Sequence, residues 1–232
     1  MSLRIRDLPS PNQDARPAST PIDMLILHYT GMRTAQEAID RLRDPISRVS
    51  SHYVVDEDGA VLRLVPETRC AFHAGVSYWR GRSALNGRSI GIEVVNPGHA
   101  WGYRDFSVLQ LAAVCDLCLA ILSRHPIPAR NVVAHSDVAP DRKQDPGEKF
   151  DWRSLAENGV GLWPDDVAGD GTDDVRAALV EIGYRSDLAL RIMLRAFQRH
   201  WRPEAVTGEA DPGTRTRLAG LLRLVGAPVP AR

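Results

Sequence analysis

The chain has few cysteines, no excess of either charge and no long apolar run, and each absence excludes a class of protein. Its 232 residues include three cysteines, Cys70, Cys115 and Cys118. An odd number without the spacing of a small scaffold favours free thiols in a reducing compartment over a disulfide framework. Because 29 basic residues balance 29 acidic ones, we expect neither nucleic acid nor an anionic membrane surface as the main partner.

The first residues also lack the apolar run of a signal peptide, and no later stretch is long enough for a membrane span. We therefore expect a cytoplasmic protein. The alternative is a periplasmic protein whose leader has been removed. Hydrophobic residues make up 44% and charged residues 25% of the chain, which is ordinary for a globular protein with a buried core.

Composition divides the chain into four parts. Residues 1–21 are polar and rich in proline, which indicates an extended arm. Strand and helix patterns alternate over residues 22–164, and this alternation predicts an α/β fold, a mixed sheet with helices on its faces. Residues 165–171 form a polar linker that contains glycine, and three helical patterns in residues 172–232 predict a small helical domain.

Two histidines each follow a short apolar run of the kind found in buried strands. His28 follows residues 24–27, and His135 follows residues 132–134. Because strand ends at one edge of a sheet lie close together, the two imidazoles can meet there. In the simpler interpretation, each histidine only ends its strand and hydrogen-bonds a carbonyl.

The loop after His135 adds carboxylates to this edge. Asp137, Asp141 and Asp145 all lie within reach, and neutral imidazole and ionised carboxylate are zinc ligands at neutral pH. Spacing alone does not choose among the three, although Pro146 stiffens the turn after Asp145 and favours that residue. Two histidines and one carboxylate leave a fourth tetrahedral position open, which is typical of a catalytic zinc site.

Two more residues are candidates for chemistry near such a metal. Glu93 lies in a strand pattern, residues 89–96, and points away from the face that carries the alternate apolar residues. Burial there raises the pKa of a carboxyl group, which suits a general base; the alternative is a strand-edge glutamate in solvent. Lys143 either stabilises an oxyanion or is a solvated loop lysine.

Other motifs are better explained by structure. Cys115 and Cys118 form a CxxC string inside the apolar pattern of the clearest helix, residues 107–124, so core packing is favoured over metal or redox chemistry. His52 lies on a strand of a predicted hairpin and is expected to be structural. His73 is either part of a groove wall or an ordinary loop residue.

Five motifs in this order resemble those of the type-2 N-acetylmuramoyl-L-alanine amidases, a zinc family that shares its fold with peptidoglycan recognition proteins and phage T7-type lysozyme. The motifs are His28-Tyr29-Thr30, residues 51–55 with Asp58-Gly59, His73-Ala74-Gly75, residues 89–93, and residues 135–137 continuing to 143–147. The resemblance covers about residues 22–163 and implies a mixed central sheet flanked by helices.

Carried over position by position, the resemblance implies that His28, His135 and Asp145 hold Zn²⁺. It further implies that Glu93 is the catalytic acid and base and that Lys143 stabilises the transition state. The implied reaction is hydrolysis of the amide bond between the lactyl group of a muramic acid and the first L-alanine of a stem peptide.

Five residues are expected to contact such a substrate: Tyr29, His73, Trp79, Arg82 and Asn86. Phe72 departs from the tryptophan that many members of the family have before the His-Ala-Gly motif, which bears on the groove and not on the chemistry. Short strings around Ile182-Gly183-Tyr184 and Ala196-Phe197-Gln198 resemble a divergent three-helix peptidoglycan-binding domain.

The resemblance leaves three biological settings. We expect a monomeric enzyme that recycles soluble anhydromuropeptides in the cytoplasm, because the leader is absent and the thiols are free. A periplasmic or phage-type amidase that acts on polymeric peptidoglycan is the first alternative, and a C-terminal binding domain would favour it. A non-catalytic recognition module is the second, but such modules typically lack a zinc ligand, and every ligand position here is filled.

Overall fold

The computed structural model describes residues 4–165 and 171–226. The strands are β1 (Ile5–Asp7), β2 (Gln13–Ala15), β3 (Met24–Tyr29), β4 (Tyr53–Val55), β5 (Val61–Arg63), β6 (Arg69–Ala71), β7 (Tyr78–Trp79), β8 (Arg82–Ser83), β9 (Ser89–Val94) and β10 (Val132–Ala134). The helices are α1 (Ala35–Arg43), α2 (Gly98–Trp101), α3 (Val108–Arg124), α4 (His135–Val138), α5 (Trp152–Glu157), α6 (Val175–Ile182), α7 (Leu190–Trp201) and α8 (Pro212–Gly226). Within these described residues no helix combines the length and the apolar character needed to cross a membrane.

A six-stranded sheet in the order β1-β5-β4-β9-β3-β10 forms the centre of the molecule. β4, β9, β3 and β10 are parallel to one another, whereas β4 and β5 form the predicted antiparallel hairpin. The predicted fold class, a mixed sheet flanked by helices, is therefore confirmed. The carboxyl ends of four neighbouring parallel strands lie along one edge, which is where open α/β sheets usually carry their sites.

One face of the sheet is covered by α3 and α5. Alternate residues of the central strands, such as Leu25 and Ile92, pack on this side against Leu117 and Ile121 of α3. Cys118 is buried in the same cluster, and both cysteines of the CxxC string are free thiols. Their placement agrees with the predicted core packing.

The opposite face has two separate covers. α1 packs over β4 and β5 through Ile39 and Leu42. Thr34 is its N-cap, since the Thr34 side chain accepts a hydrogen bond from the backbone N–H of Glu37. The helices α6 to α8 cover the other end of this face, over β3 and β10, and the candidate site lies between the two covers.

The N-terminal segment is extended, as expected, but it is not separate from the sheet. β1 adds a parallel strand at the edge next to β5, and β2 pairs antiparallel with β6. The fold therefore includes the chain from Ile5 onwards and does not begin near residue 22. The strand residues of β1 are exposed, so no apolar alternation marked this strand in the sequence.

The three C-terminal helices have the predicted positions, but they do not form a core of their own. Their apolar side chains, including Leu179 and Phe197, share one cluster with Met24, Ile26 and Val133 of the sheet. The predicted linker at residues 165–171 falls mostly on residues 166–170, which lie outside the described residues, as do residues 227–232. Within the described residues the helices are a layer of the α/β fold.

A half-buried carboxylate ties the β5–β6 connection to the end of α3. Glu67 accepts hydrogen bonds from Tyr53 Oη and Arg124 Nη2, both at 2.7 Å, and lies 2.7 Å from His125 Nε2. Burial alone would raise the pKa of Glu67, but Arg124, Tyr53 and His125 outweigh it and lower the pKa from 4.5 to about 2. The ionised form therefore stabilises the fold above pH 4.5.

We expect Glu67→Gln to lower the free energy of unfolding by about 1–3 kcal/mol at pH 7, because it removes the charge from the hydrogen bonds to three residues. The folded-state pKa lies below the unfolded one, so the stabilisation is lost as the pH falls from about 4.5 towards 2. In urea denaturation, the difference in free energy of unfolding between the parent and Glu67→Gln should shrink as the pH is lowered from 7 to 3. The exposed Glu181→Gln is the control, and an equal loss of stability at every pH would contradict the explanation.

Candidate active site

Strand register brings three candidate residues to the same level of the sheet. His28 on β3 and Glu93 on β9 are direct partners across the two strands. Ala134, the last residue of β10, pairs with Leu27 of β3, so His135 follows at the level of His28. Because these strands are parallel, their ends meet at one edge, and the predicted meeting of the two histidines occurs there.

Three ligand atoms converge at this edge. The Nδ1 atoms of His28 and His135 are 2.9 Å apart, and Asp145 Oδ2 lies 3.2 Å from the first and 2.9 Å from the second. All three residues are buried. Of the three aspartates that the sequence left open, Asp145 is the one that completes the group.

The hydrogen bond on the far side of the His135 ring fixes which nitrogen carries its proton. Nε2 of His135 lies 3.3 Å from the backbone carbonyl oxygen of Ala74. A carbonyl only accepts, so Nε2 must carry the hydrogen, and Nδ1 is left with a lone pair directed at the other two ligand atoms.

A longer chain of hydrogen bonds fixes the tautomer of His28. Ser89 Oγ donates to the carbonyl oxygen of Leu85 at 2.7 Å, so it accepts from Nε2 of His73 at 3.1 Å. Nδ1 of His73 then accepts from Nε2 of His28 at 3.0 Å. Nδ1 of His28 is therefore also a bare lone pair.

The His73 ring can occupy this position because Gly91 has no side chain. A Cβ atom added at Gly91 would lie 2.5 Å from Cγ of His73. A side chain at position 91, two residues before Glu93, would therefore displace the His73 ring. Of the two interpretations left open for His73, a wall of the groove or an ordinary loop residue, the structure agrees with the first, and it also places His73 behind a ligand.

The convergent group fits a divalent metal ion. Two imidazole lone pairs and one carboxylate oxygen face one another with no hydrogen between them, which is repulsive unless a cation lies among them. Atoms at these separations can all bind one ion at the distances of about 2.0–2.2 Å that zinc requires from nitrogen and oxygen. The donor set, two nitrogens and one oxygen, is that of catalytic zinc sites.

The electrostatics keep the ligands in their binding forms. Burial, together with the neighbouring His135, lowers the pKa of His28 to about 4, so its imidazole is neutral at pH 7. Burial alone would raise the pKa of Asp145, but the adjacent His135 and His28 outweigh it and hold that pKa well below its usual range. Neutral imidazole and ionised carboxylate are the forms that bind a metal.

Glu93 has the opposite environment. It lies on the strand face that the sequence indicated, next to the ligand group, and its Oε2 atom is buried without a hydrogen-bond partner among the described residues. Burial and the negative charge of Asp145 raise the pKa of Glu93 well above its usual value, and Lys143 only partly offsets this. A carboxyl group with a raised pKa is suited both to take up and to return a proton.

The ligand group opens into a groove made of two adjoining cavities of about 380 and 450 Å³. Glu93 and Asp145 line the first, while His135 and Lys143 line both. The groove is rimmed by three arginines that the sequence analysis did not single out, namely Arg41, Arg48 and Arg142. They come from separate segments, so nothing in their spacing marked them as one group.

The five expected substrate contacts divide into two sets. Tyr29, His73 and Asn86 line the groove, and Asn86 also holds the backbone N–H groups of His73 and Ala74 through its Oδ1. Trp79 is instead buried at 2% exposure against Tyr184 of the C-terminal layer. Arg82 is exposed on the β7–β8 hairpin and lines neither cavity.

Ser89 ends the chain of hydrogen bonds that fixes the tautomer of His28, so its removal tests that assignment. We expect Ser89→Ala to weaken the binding of added Zn²⁺ to this group by about tenfold, the lower end of the range for outer partners of metal ligands. Without Ser89, His73 no longer has a fixed proton position. Competition with a chromophoric chelator measures the affinity.

Ser51→Ala is the matched control, because Ser51 is also buried and donates to the same strand, to the carbonyl oxygen of Gly91 at 2.7 Å, but lies outside the chain of hydrogen bonds. Equal zinc affinities for the two serine variants would contradict the role of Ser89.

Comparison with known proteins agrees with this site. Residues 18–148 match the family model described as N-acetylmuramoyl-L-alanine amidase. The N-acetylmuramoyl-L-alanine amidase AmiD of Escherichia coli K12 is 37% identical over 92% of this chain and 87% of that protein. The 1,6-anhydro-N-acetylmuramyl-L-alanine amidase AmpD of Citrobacter freundii is 36% identical, over 63% of this chain and 86% of its own length.

Solved structures give the same result. AmiD of E. coli, in complex with the substrate anhydro-N-acetylmuramic acid-L-Ala-D-γ-Glu-L-Lys, superposes with a TM-score of 0.79 at 36% identity, covering 90% of this chain and 92% of that one. AmpDh3 of Pseudomonas aeruginosa superposes with a TM-score of 0.80 at 31% identity, covering 91% and 96%. With its sheet, its convergent ligands and these relatives, the chain belongs to the N-acetylmuramoyl-L-alanine amidase family and is an enzyme of that family.

Proposed function

We propose that this amidase is zinc-dependent and hydrolyses the amide bond between the lactyl group and L-alanine in soluble anhydromuropeptides. The observation that carries the proposal is the triangle of His28, His135 and Asp145, open to a groove that also contains Glu93 and Lys143. AmiD has been solved with an anhydromuramyl tripeptide and AmpDh3 with an anhydromuramic pentapeptide, which supports this class of substrate.

His28, His135 and Asp145 would hold the zinc ion. When bound, the ion would polarise the scissile carbonyl and make a water molecule more acidic. Glu93, with its raised pKa, accepts the proton of the attacking water and then returns it to the amine of the leaving L-alanine. One carboxyl group thus serves as base in the first step and as acid in the second.

The groove contains positively charged side chains, which suit both the negative charge that develops on the scissile carbonyl and the carboxylates of the substrate. Lys143, which lines both cavities, would stabilise the oxyanion that forms on the carbonyl. A stem peptide carries carboxylates, and Arg41, Arg48 and Arg142 offer bidentate donors for them along the groove. Tyr29 supplies an aromatic wall, and His73 and Asn86 complete the lining.

We propose that the enzyme acts in the cytoplasm as a monomer in cell-wall recycling. Three free thiols suit a reducing compartment. One chain supplies the complete ligand group together with Glu93 and Lys143, so the site needs no second copy. The proposed partners are anhydromuramyl-peptides, with no role for nucleic acid.

The second candidate is a periplasmic or phage-type amidase that cuts polymeric peptidoglycan. The observation in its favour is the extent of the likeness, since AmiD and AmpDh3 match about nine-tenths of this chain whereas AmpD matches 63%. The C-terminal helices are therefore shared with only some of these relatives. A non-catalytic recognition module is disfavoured, because the ligand group and Glu93 are all in place.

Glu93→Gln should lower kcat by about 10²–10⁴, since a positioned acid or base contributes about that much. Zinc affinity should change little, because Glu93 is not among the three ligands. Release of L-Ala-D-γ-Glu-L-Lys from its anhydromuramyl conjugate, followed by chromatography, measures kcat. Glu157→Gln on the exposed face of α5 is the control, and a kcat within a few-fold of the parent for Glu93→Gln would exclude the acid and base role.

The substrate class is tested with the zinc-loaded and the chelated enzyme on three substrates: an anhydromuramyl tripeptide, its muramyl counterpart with a reducing end, and intact sacculi. We expect zinc-dependent release of peptide, fastest from the anhydro compound. A higher rate on sacculi would favour the polymer-cutting candidate. No release from any substrate would exclude amidase activity and leave the recognition module.

A further inference from the structure

A fully buried carboxylate, Asp137, joins the metal edge to the C-terminal layer. Its side chain has 0% exposure, and in the sequence it was one of the three loop carboxylates that spacing left open as metal ligands. Its Oδ2 accepts from the backbone N–H of Ala134 at 2.8 Å and lies 2.6 Å from His200 Nδ1. Its Oδ1 accepts from Tyr184 Oη at 2.7 Å. Three donors from three segments thus satisfy one carboxylate.

The two side-chain donors belong to α6–α8 and are themselves held firmly. Tyr184 follows α6 and packs edge-on against Trp79 of the β7–β8 hairpin, with ring centroids 5.3 Å apart. The His200 ring of α7 stacks on Trp201 and on Trp152 of α5, at centroid distances of 3.6 and 3.8 Å. Both donors are nearly inaccessible to solvent, at 1% exposure each, so water cannot replace them.

The acceptor, in turn, holds the short helix that carries the ligands. Asp137 lies in the first turn of α4, and its hydrogen bond to Ala134 fixes the start of this helix, where His135 is the first residue. The next backbone N–H, that of Ser136, donates to the carbonyl oxygen of Asp145 at 2.9 Å. α4 therefore sets the backbone position of two of the three ligands.

A second contact runs from the same layer to the same loop. Arg199 of α7 donates through Nη2 to Oε1 of Gln144 at 3.3 Å. Gln144 directly precedes Asp145 and lines the groove. α7 thus reaches both ends of the segment that carries His135 and Asp145.

We propose that α6–α8 are a positioning element of the metal site, in which Tyr184 and His200 hold His135 and Asp145 in place through Asp137. These residues act through others and touch neither metal nor substrate. The inference rests on the proposed zinc site and goes beyond it, because it assigns the helices that resemble a peptidoglycan-binding domain a role inside the catalytic unit.

Zinc affinity of the full-length protein separates positioning from general stability. We expect Tyr184→Phe and His200→Leu each to weaken zinc binding by about tenfold, the lower end of the range for the direct partners of metal ligands, because both act through Asp137. His200→Asn should stay within about threefold of the parent, because its amide nitrogen can occupy the place of Nδ1 and donate to Asp137. Chelator competition gives Kd, and thermal unfolding of the metal-free proteins gives stability.

Arg80→Met is the matched control for the interface. Arg80 donates through Nη1 to the carbonyl oxygens of Glu181 and Ile182, both at 2.9 Å, so its loss weakens contact with the same layer without touching α4. We expect a lower Tm with an unchanged zinc Kd. The inference is overturned if Tyr184→Phe and His200→Leu bind zinc like the parent, or if Arg80→Met weakens binding as much as they do. A parent protein that binds no zinc would instead overturn the proposed function.

Discussion

Parallel pairing of β3 with both of its neighbours is the constraint on which the active site depends. Because β9, β3 and β10 run in the same direction, their carboxyl ends lie at one edge. Register then places His28 beside Glu93 and brings His135, just beyond β10, to the same level. An antiparallel neighbour would have carried its residue to the opposite edge. The directions of the strands thus decide which residues meet at the site, and the orientation of their side chains is a separate matter.

Orientation comes from hydrogen bonds on the far side of each ligand. Imidazole can present a lone pair or a hydrogen from either nitrogen, and only the lone pair binds a metal. A backbone carbonyl settles this for His135, while a buried serine settles it for His28 through an intervening histidine. The same burial that makes these bonds strong also leaves Oε2 of Glu93 without a hydrogen-bond partner among the described residues and raises the pKa of Glu93. The same dry environment therefore lowers the pKa of His28 and raises that of Glu93.

The sequence was informative where a pattern is local. Apolar runs ending in His28 and His135, the alternation around Glu93 and the apolar helical pattern of residues 107–124 all predicted elements that the structure contains. The sequence was uninformative about residues whose burial or role depends on contacts with distant parts of the chain. Trp79 reads as an exposed loop aromatic until Tyr184 covers it, and β1 has no apolar alternation because its residues are exposed at a sheet edge. Asp137 looks like any loop carboxylate until its partners, 47 and 63 residues away, are in place.

Helical periodicity shows that a helix has an apolar stripe, but not which surface the stripe covers. In this chain the stripes of α6–α8 are buried on the sheet, in one cluster with Met24 and Val133. They are therefore unavailable to a glycan strand or a stem peptide, so that within residues 171–226 contact with polymer is left to the outward faces of these helices. The apolar side of this layer packs on the central sheet, and its buried donors reach the helix that carries His135. The layer is therefore better understood as part of the enzyme's scaffold than as a tethered binding domain.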